Sequence, residues 1–129
     1  MILKELVSRP PVTAEEDTTI SFACKIMKKE GVGSLLITEG EQPKGIVTER
    51  DIVYAIADDI SLSAPIKDIM STNLVSADSS TDVSDAALLM TTKKIRHLIV
   101  IESGKIIGVV SLRDVARALG LVTADLSIW

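Results

Sequence analysis

The chain contains the sequence GIVTERDI at positions 45–52 and a close copy of it, GVVSLRDV, at positions 108–115. In both segments an apolar run typical of a buried strand ends at a hydroxyl residue, Thr48 or Ser111. A carboxylate follows three positions later, and the residues after it have the apolar spacing of a helix. Each segment therefore predicts a strand that passes directly into a helix, with a Thr/Ser-x-x-Asp pattern at the junction.

The two segments belong to a repeat that spans most of the chain. Residues 3–55 align with residues 66–118 without a gap at a single offset, 66 minus 3, or 63 residues. The identical pairs include Lys4/Lys67, Ala23/Ala86, Met27/Met90, Gly45/Gly108, Arg50/Arg113 and Asp51/Asp114. Self-similarity at a fixed spacing predicts repeated structural units. Because a unit of about sixty residues buries too little surface to be robust alone, we expect the two halves to share a core.

A first helix is predicted in each copy from apolar residues at positions i, i+3, i+4 and i+7. The two sets are Ile20, Ala23, Cys24 and Met27 in the first copy, and Val83, Ala86, Ala87 and Met90 in the second. Side-chain oxygens suited to cap these helices precede both sets. The candidate caps are Thr18 or Thr19 and Ser80 or Thr81, and Gly31 suits the end of the first helix.

Two short apolar runs typical of buried strands follow each first helix, and a second helix follows each pair of runs. The runs are residues 35–38 and 45–48, then 98–101 and 106–111, and the second helices are residues 50–57 and 113–120. With a short strand near Val12 or Val75, each copy has the order β-α-β-β-α. The predicted fold class is α/β, of the α+β kind, with tandem pseudo-symmetric repeats that form two small three-stranded sheets with flanking helices.

The polar stretch that ends at Pro65 is predicted to be a linker. We therefore expect a first repeat at 1–60, a linker at 61–65, a second repeat at 66–122 and a C-terminal tail at 123–129. The segment at 2–6 and the tail ending in Trp129 are candidates to pack across a dimer, with a frayed terminus as the alternative for the tail.

The composition argues against nucleic acid and membranes as partners. The net charge is −4, the pI is near 4.9 and aromatic residues make up 2 % of the chain, so both a basic surface and a stacking platform are lacking. The N-terminus has no signal-peptide core and no apolar run approaches 18 residues. We expect a cytoplasmic protein.

The sequence does not predict an enzyme. It has one histidine and one cysteine, and it lacks Gly-x-Ser-x-Gly, phosphate-loop and clustered metal-ligand motifs. Cys24 lies among apolar residues and is expected to be a packing thiol. No catalytic residue, metal site or required cofactor is predicted.

The tandem β-α-β-β-α units, each closing with Gly-hydrophobic-x-Thr/Ser-x-x-Asp, resemble the CBS-domain pair, also called a Bateman module. The resemblance extends from about Leu3 to about Leu119. It implies two sheets packed face to face, with clefts between the halves that bind adenosine-containing ligands, and a homodimer. AMP, ADP or ATP is the expected ligand, with adenosylmethionine or NAD as further candidates. The expected role is regulatory, with signalling to a separate effector protein; the alternative is a dimerisation scaffold with vestigial clefts.

The repeated Thr/Ser-x-x-Asp pattern has two interpretations. Its spacing is that of a capping box, which would explain it without a ligand. By the resemblance, Asp51 and Asp114 hold ribose hydroxyls, and Thr48 and Ser111 lie near ribose or phosphate. A helix N-terminus also suits phosphate, because its N–H groups are unpaired.

The resemblance also implies the remaining site residues. Arg96 and His97 match positions that face ligand phosphates in some members, whereas the first copy has Gly33 and Ser34 there. The phosphate-bearing end of a bound ligand is therefore expected to contact Arg96 and His97. Adenine is expected to contact backbone and apolar groups at Val12, Thr13 and Ile46 in the first copy and at Val75, Ser76 and Val109 in the second.

Overall fold

The computed structural model describes residues 1–121. The predicted C-terminal tail with Trp129 lies outside the described residues. The regular elements of the first copy are β1 (Thr13–Glu15), α1 (Ile20–Glu30), β2 (Ser34–Glu39), β3 (Gln42–Thr48) and α2 (Glu49–Ala57). Those of the second copy are β4 (Ser76–Asp78), α3 (Val83–Lys93), β5 (His97–Glu102), β6 (Lys105–Ser111) and α4 (Leu112–Ala118). Single 3₁₀ turns at Leu3–Leu6 and Ile66–Asp68 precede the two copies.

The strands form two separate three-stranded sheets of the same mixed topology. In the first, β2 lies between β1, which is parallel to it, and β3, which is antiparallel. In the second, β5 has the same relation to β4 and β6. The predicted fold class and the β-α-β-β-α order are therefore confirmed.

The chain divides into two compact units that differ from the linear repeats. We call Pro11–Leu74 the first-repeat unit, and Met1–Pro10 together with the chain from Val75 onward the second-repeat unit. Each unit has its own cluster of buried apolar residues, and a core shared between the two halves stays a prediction. In the first-repeat unit, Ala23 and Met27 of α1 pack with Val47 of β3; Ala86 and Met90 pack with Val110 in the second.

The 3₁₀ turn before each copy packs in the unit that the other copy forms. The Leu3 N–H donates to the Thr81 carbonyl at 2.9 Å, and the fully buried Leu3 side chain joins the core of the second-repeat unit. Likewise, the Ile66 N–H donates to the Thr18 carbonyl at 2.6 Å, and Ile66 joins the first-repeat core. The segment at 2–6 thus places Leu3 in the core of the second-repeat unit, where burial of an apolar side chain is favourable. Packing of this segment across a dimer stays a prediction.

The helix ends follow the predicted chemistry with one exception. Thr19 caps α1 by accepting a hydrogen bond from the Phe22 N–H at 3.1 Å, and Gly31 ends α1 in the left-handed region, at φ 66°. The predicted Ser80 or Thr81 cap of α3 is wrong. Asp82 caps α3 instead, by accepting from the Ser84 N–H at 2.9 Å, because its carboxylate is one residue nearer to the helix.

Candidate functional site

In the first-repeat unit, β3 passes directly into α2 at Thr48. The Asp51 carboxylate accepts two hydrogen bonds on its Oδ2 atom, from the Thr48 N–H at 2.8 Å and from the Thr48 hydroxyl at 3.1 Å. Both residues are half-buried. The Thr48 hydroxyl hydrogen is therefore directed at Asp51, and only the lone pairs of this oxygen remain for another group.

The second-repeat unit has the same junction with a different hydroxyl bond. The Asp114 Oδ2 atom accepts from the Ser111 N–H at 2.9 Å, while the Ser111 hydroxyl oxygen accepts from the Asp114 N–H at 3.0 Å. The Ser111 hydroxyl hydrogen is not used in this pair. Ser111 can therefore donate to an anion at the N-terminus of α4, whereas Thr48 already donates to its own aspartate.

The capping interpretation of the motif is correct in both copies. Each aspartate satisfies a backbone N–H that the helix leaves unpaired, which fixes the side-chain rotamer. Within residues 1–121, the hydrogen bonds of Asp51 and Asp114 use Oδ2. The Oδ1 atom of each carboxylate is left to accept from a ligand hydroxyl, so capping and ligand binding are compatible.

The second-repeat unit brings the basic residues to this junction. The Leu112 N–H, at the first position of α4, donates to the Arg96 carbonyl at 2.7 Å. His97 is the strand partner of Ser111, so it lies directly across from it on β5. Arg96 is exposed and His97 half-buried. Arg96 and His97 therefore lie next to Ser111 in the structure, while their contact with a ligand phosphate stays a prediction.

The same place in the first-repeat unit is uncharged. The Gly33 carbonyl accepts from the Glu49 N–H at 3.1 Å, and Ser34 is the strand partner of Thr48. Gly33 and Ser34 thus occupy the positions of Arg96 and His97. The two junctions share the carboxylate but differ in nearby positive charge.

The residues predicted to contact adenine lie in one row across each sheet. Thr13 pairs with Leu36, which pairs with Ile46, and the Leu36 N–H donates to the Val12 carbonyl at 3.0 Å. The second sheet repeats the row with Ser76, Ile99 and Val109, and with the Val75 carbonyl accepting from the Ile99 N–H at 3.2 Å. Each row therefore lies at the same level of its sheet.

Strand alternation connects each row to its junction. Ile46 and Thr48 are two residues apart, so they project from one face of β3, while Val47 between them is buried in the core. Val109 and Ser111 have the same relation around the buried Val110. An apolar residue and the hydroxyl-carboxylate pair thus share one face in each unit.

The family model of the CBS domain matches the chain twice, at residues 3–58 and 66–121. The chain belongs to the CBS-domain family. The CBS domain-containing protein YhcV of Bacillus subtilis is 31% identical over 115 residues, which cover 88% of this chain and 82% of that protein.

Two solved CBS structures with bound adenosine compounds are similar to the chain. The CBS domain protein PAE2072 from Pyrobaculum aerophilum, complexed with AMP, is 33% identical with a TM-score of 0.82, and the match covers 96% of this chain and 100% of that one. The CBS domain pair of protein MJ0100, in complex with 5′-methylthioadenosine and S-adenosyl-L-methionine, is 30% identical with a TM-score of 0.83. That match covers 93% of this chain and 96% of the other.

Sequence reasoning missed how the glycine of the CBS closing motif is used. A Cβ atom on Gly45 would lie 2.6 Å from the Met70 Sδ atom and 2.8 Å from the Ser71 carbonyl oxygen. Ile46 and Ser71 exchange two backbone hydrogen bonds of 2.9 Å at this place. The N–H and carbonyl of Ile46 are therefore already paired, and its contact with an adenine stays a prediction. The identical Gly45/Gly108 pair was the only signal in the sequence.

A polar cluster near the start of each CBS copy also escaped sequence reasoning. In the second-repeat unit, the buried Ser79 hydroxyl donates to Glu102 at 3.1 Å, and the Lys4 ammonium lies 2.9 Å from the same carboxylate. Both contacts hold the pKa of Glu102 below its ordinary value, the Lys4 hydrogen bond most strongly. Glu16 occupies the position of Ser79 in the first copy. A hydrogen bond with Glu39, followed by desolvation, raises the pKa of Glu16.

Among residues 1–121, no helix is long and apolar enough to cross a membrane. The same residues contain no group of three or more His, Cys, Asp or Glu side chains that could hold a metal ion.

Proposed function

We propose that the chain is a non-catalytic regulatory module that binds adenosine-containing ligands and passes their presence to a separate effector protein. The observation that carries this proposal is the twofold occurrence of a carboxylate with one oxygen fixed by capping and the other available. A carboxylate in a fixed rotamer needs little further ordering to accept hydrogen bonds from a ribose. The AMP, methylthioadenosine and adenosylmethionine complexes of the similar CBS structures support this ligand class.

The proposed ligands are AMP, ADP or ATP, because the second-repeat junction combines ribose and phosphate chemistry. Asp114 would accept from the ribose, while the Ser111 hydroxyl, the N-terminus of α4 and the Arg96 guanidinium would donate to phosphate. The first-repeat junction lacks the basic group, so we expect it to bind nucleotides more weakly or to prefer uncharged adenosine compounds. The apolar residues Ile46 and Val109 would pack against the adenine.

Calorimetric titration of nucleotide-free protein with AMP tests the ribose role. Charge-assisted hydrogen bonds contribute about 1.5–3 kcal/mol each, so Asp114→Asn should weaken binding roughly 10- to 150-fold. Asp51→Asn reports on the first copy in the same way. Asp82→Asn is the matched control, because Asp82 also caps a helix but lies outside the proposed site. Unchanged affinity in both site variants would contradict the ribose assignment.

A comparison of AMP with adenosine tests the phosphate end. Arg96→Ala should weaken AMP binding and leave adenosine binding unchanged, since the guanidinium is proposed to contact phosphate alone. Equal losses for both compounds would contradict this role. If folded wild-type protein binds none of AMP, ATP and adenosylmethionine, the scaffold alternative replaces the ligand-binding proposal.

We further propose that the module acts as a homodimer. The first-repeat unit leaves several large apolar side chains of α1 and α2 exposed, and burial of such side chains stabilises association.

A further inference from the structure

The net charge of −4 conceals charges of opposite sign in the two units. The first-repeat unit, Pro11–Leu74, contains 11 acidic and 6 basic residues, which give a formal net charge of −5. The second-repeat unit contains 7 acidic and 8 basic residues, which give a formal net charge of +1. The two units repeat one fold but differ in charge, so the first attracts cations and the second attracts anions.

The same difference is present at the strand-helix junctions, where the proposed ligands bind. Glu49, the first residue of α2, is exposed, and it matches the uncharged Leu112 at the start of α4. The Glu49 N–H donates to the carbonyl of Gly33, and Gly33 matches the basic Arg96. Together these two exchanges make the first-repeat junction more negative than the second by two unit charges.

The other charges near the junctions do not cancel this difference. Arg50 and Arg113 are a matched pair, as are the two aspartates of the motif, so they contribute equally to both junctions. The segment that leads from the first helix into the next strand has a net charge of +1 at residues 28–34 and +3 at residues 91–97, counted with a neutral His97. The first copy is therefore the less positive over the whole of this segment as well.

Glu49 is close enough to the junction to act on the charge of a bound ligand. It follows Thr48 directly in the chain, and consecutive Cα atoms lie about 3.8 Å apart. At physiological ionic strength, charges interact over roughly 8 Å before the solution screens them. The Glu49 carboxylate therefore attracts a cation and repels an anion at the junction, whichever rotamer its side chain adopts.

We propose that the first-repeat junction selects adenosine compounds whose 5′ substituent is positively charged, with Glu49 as the specificity-determining residue, while the second-repeat junction takes 5′ phosphates. This inference rests on the adenosine-binding function proposed above and extends it, because it assigns ligands of opposite charge to the two copies. Adenosylmethionine has the required chemistry, since its 5′ substituent contains a sulfonium and an ammonium group with only one carboxylate. AMP carries the opposite charge on the same carbon.

Calorimetric titration with one junction disabled tests the two preferences. Asp114→Asn leaves the first-repeat junction as the intact site, and Asp51→Asn leaves the second. In the Asp114→Asn protein, adenosylmethionine should bind roughly fivefold or more tightly than AMP, because an exposed charge pair changes affinity by up to about this factor. In the Asp51→Asn protein, AMP should bind the more tightly. Any other order in either protein would overturn the inference.

Glu49→Gln in the Asp114→Asn protein tests the residue itself. Removal of the carboxylate should weaken adenosylmethionine binding and strengthen AMP binding, each by roughly two- to fivefold. Opposite signs identify an effect of charge, because a disturbed fold would weaken the binding of both compounds. A change of the same sign for both compounds would overturn the role of Glu49.

Glu41→Gln is the matched control for Glu49→Gln. It removes the same charge from an exposed residue of the same unit, in the turn between β2 and β3. Strand β3 spans about 20 Å from Gln42 to Thr48, so Glu41 lies well beyond the screening length from the junction. This variant should leave the ratio of the two affinities unchanged. The same change of ratio in both variants would overturn the local role of Glu49.

The ligand-binding function and the charge selection fail in different ways. If the folded wild-type protein binds neither compound, the proposed adenosine-binding function fails, and the charge selection fails with it. If both compounds bind and their binding depends on Asp51 and Asp114, but the two junctions share one preference, only the charge selection is overturned.

Discussion

At the residue scale, Asp51 and Asp114 combine a structural task with the proposed binding task. Each carboxylate uses Oδ2 to cap its helix, at 2.8 and 2.9 Å from the backbone N–H of Thr48 and Ser111. Replacement by alanine would therefore remove the cap along with any ligand contact, at a cost of about 1 kcal/mol. Asparagine keeps an acceptor oxygen and removes the charge, which makes it the informative substitution for binding.

Lys94 adopts a backbone conformation that favours glycine. It ends α3 in the left-handed region at φ 56°, where the first copy has Gly31 at φ 66°. A side chain in this region is strained, so Lys94→Gly should raise the free energy of unfolding by about 1 kcal/mol. Gly31→Ala should lower it by a similar amount. Urea denaturation measures both, and a destabilised Lys94→Gly variant would contradict the prediction.

Glu102 and Glu16 should give opposite pH dependences of stability. The pKa of Glu102 is lowered in the folded state, so its contribution is present above the ordinary value of 4.5 and is lost as pH falls through the folded pKa. The pKa of Glu16 is raised, so its contribution is present below 4.5 and is lost as pH rises through the folded pKa.

The corresponding glutamine variants test these signs by urea denaturation between pH 4 and pH 7.5, relative to wild type. Glu102→Gln should lose stability mainly at neutral pH. Glu16→Gln should gain relative to wild type as pH rises from 4 to 7.5. Curves that shift in the same direction for both variants would contradict the assignment.

At the element scale, a glycine in β3 and one in β6 permit a close approach of the chain segment beside each strand. A Cβ atom on Gly45 would meet the Ser71 carbonyl oxygen at 2.8 Å, and this carbonyl is held by its bond to the Ile46 N–H. A Cβ atom on Gly108 would meet Val7 Cγ1 at 2.7 Å and the Arg9 carbonyl oxygen at 3.3 Å. A Cβ atom on Gly45 would thus meet a hydrogen-bonded backbone carbonyl as well as the Met70 side chain, whereas the atom closest to a Cβ on Gly108 belongs to a side chain.

Alanine at these two positions should therefore destabilise to different extents. Overpacking typically costs roughly 1–3 kcal/mol, and we expect Gly45→Ala near the upper end and Gly108→Ala near the lower end. The difference arises because Val7 can change its rotamer, whereas the Ser71 carbonyl can move only if its backbone hydrogen bond to Ile46 is broken or the paired segment shifts with it. Thermal unfolding of both variants measures the loss of stability. Equal losses would contradict the expected difference and show that the segment at Ser71 shifts at little cost.

At the scale of the whole molecule, the 3₁₀ turn that precedes each copy packs in the unit formed by the other copy. Leu3→Ala removes a fully buried side chain from the second-repeat core, and Ile66→Ala removes one from the first-repeat core. Each should cost about 2–5 kcal/mol. Amide hydrogen exchange should then rise mainly in β5 and β6 for Leu3→Ala and in β2 and β3 for Ile66→Ala. Faster exchange in the same linear repeat as the substitution would contradict the division into units.

Most of the secondary structure and the topology could be predicted from the sequence, for physical reasons. The 3.6-residue spacing from Ile20 to Met27, the apolar strand runs and Gly31 act locally, so each fixes an element without reference to the rest of the chain. The cap of α3 was missed because Ser80, Thr81 and Asp82 are all suitable oxygen acceptors in sequence. Only the backbone path decides which of them reaches the helix N-terminus.

The sequence by itself determined the repeat, its β-α-β-β-α order and the grouping of a hydroxyl with a carboxylate at each strand-helix junction, because these depend on spacings of a few residues. The tertiary structure decided which unit receives each 3₁₀ turn, why Gly45 and Gly108 are glycine, and which hydroxyl, Ser111 but not Thr48, keeps a hydrogen to donate. These features depend on contacts between distant segments or on the choice between two hydrogen bonds of similar energy. Local spacing does not encode either.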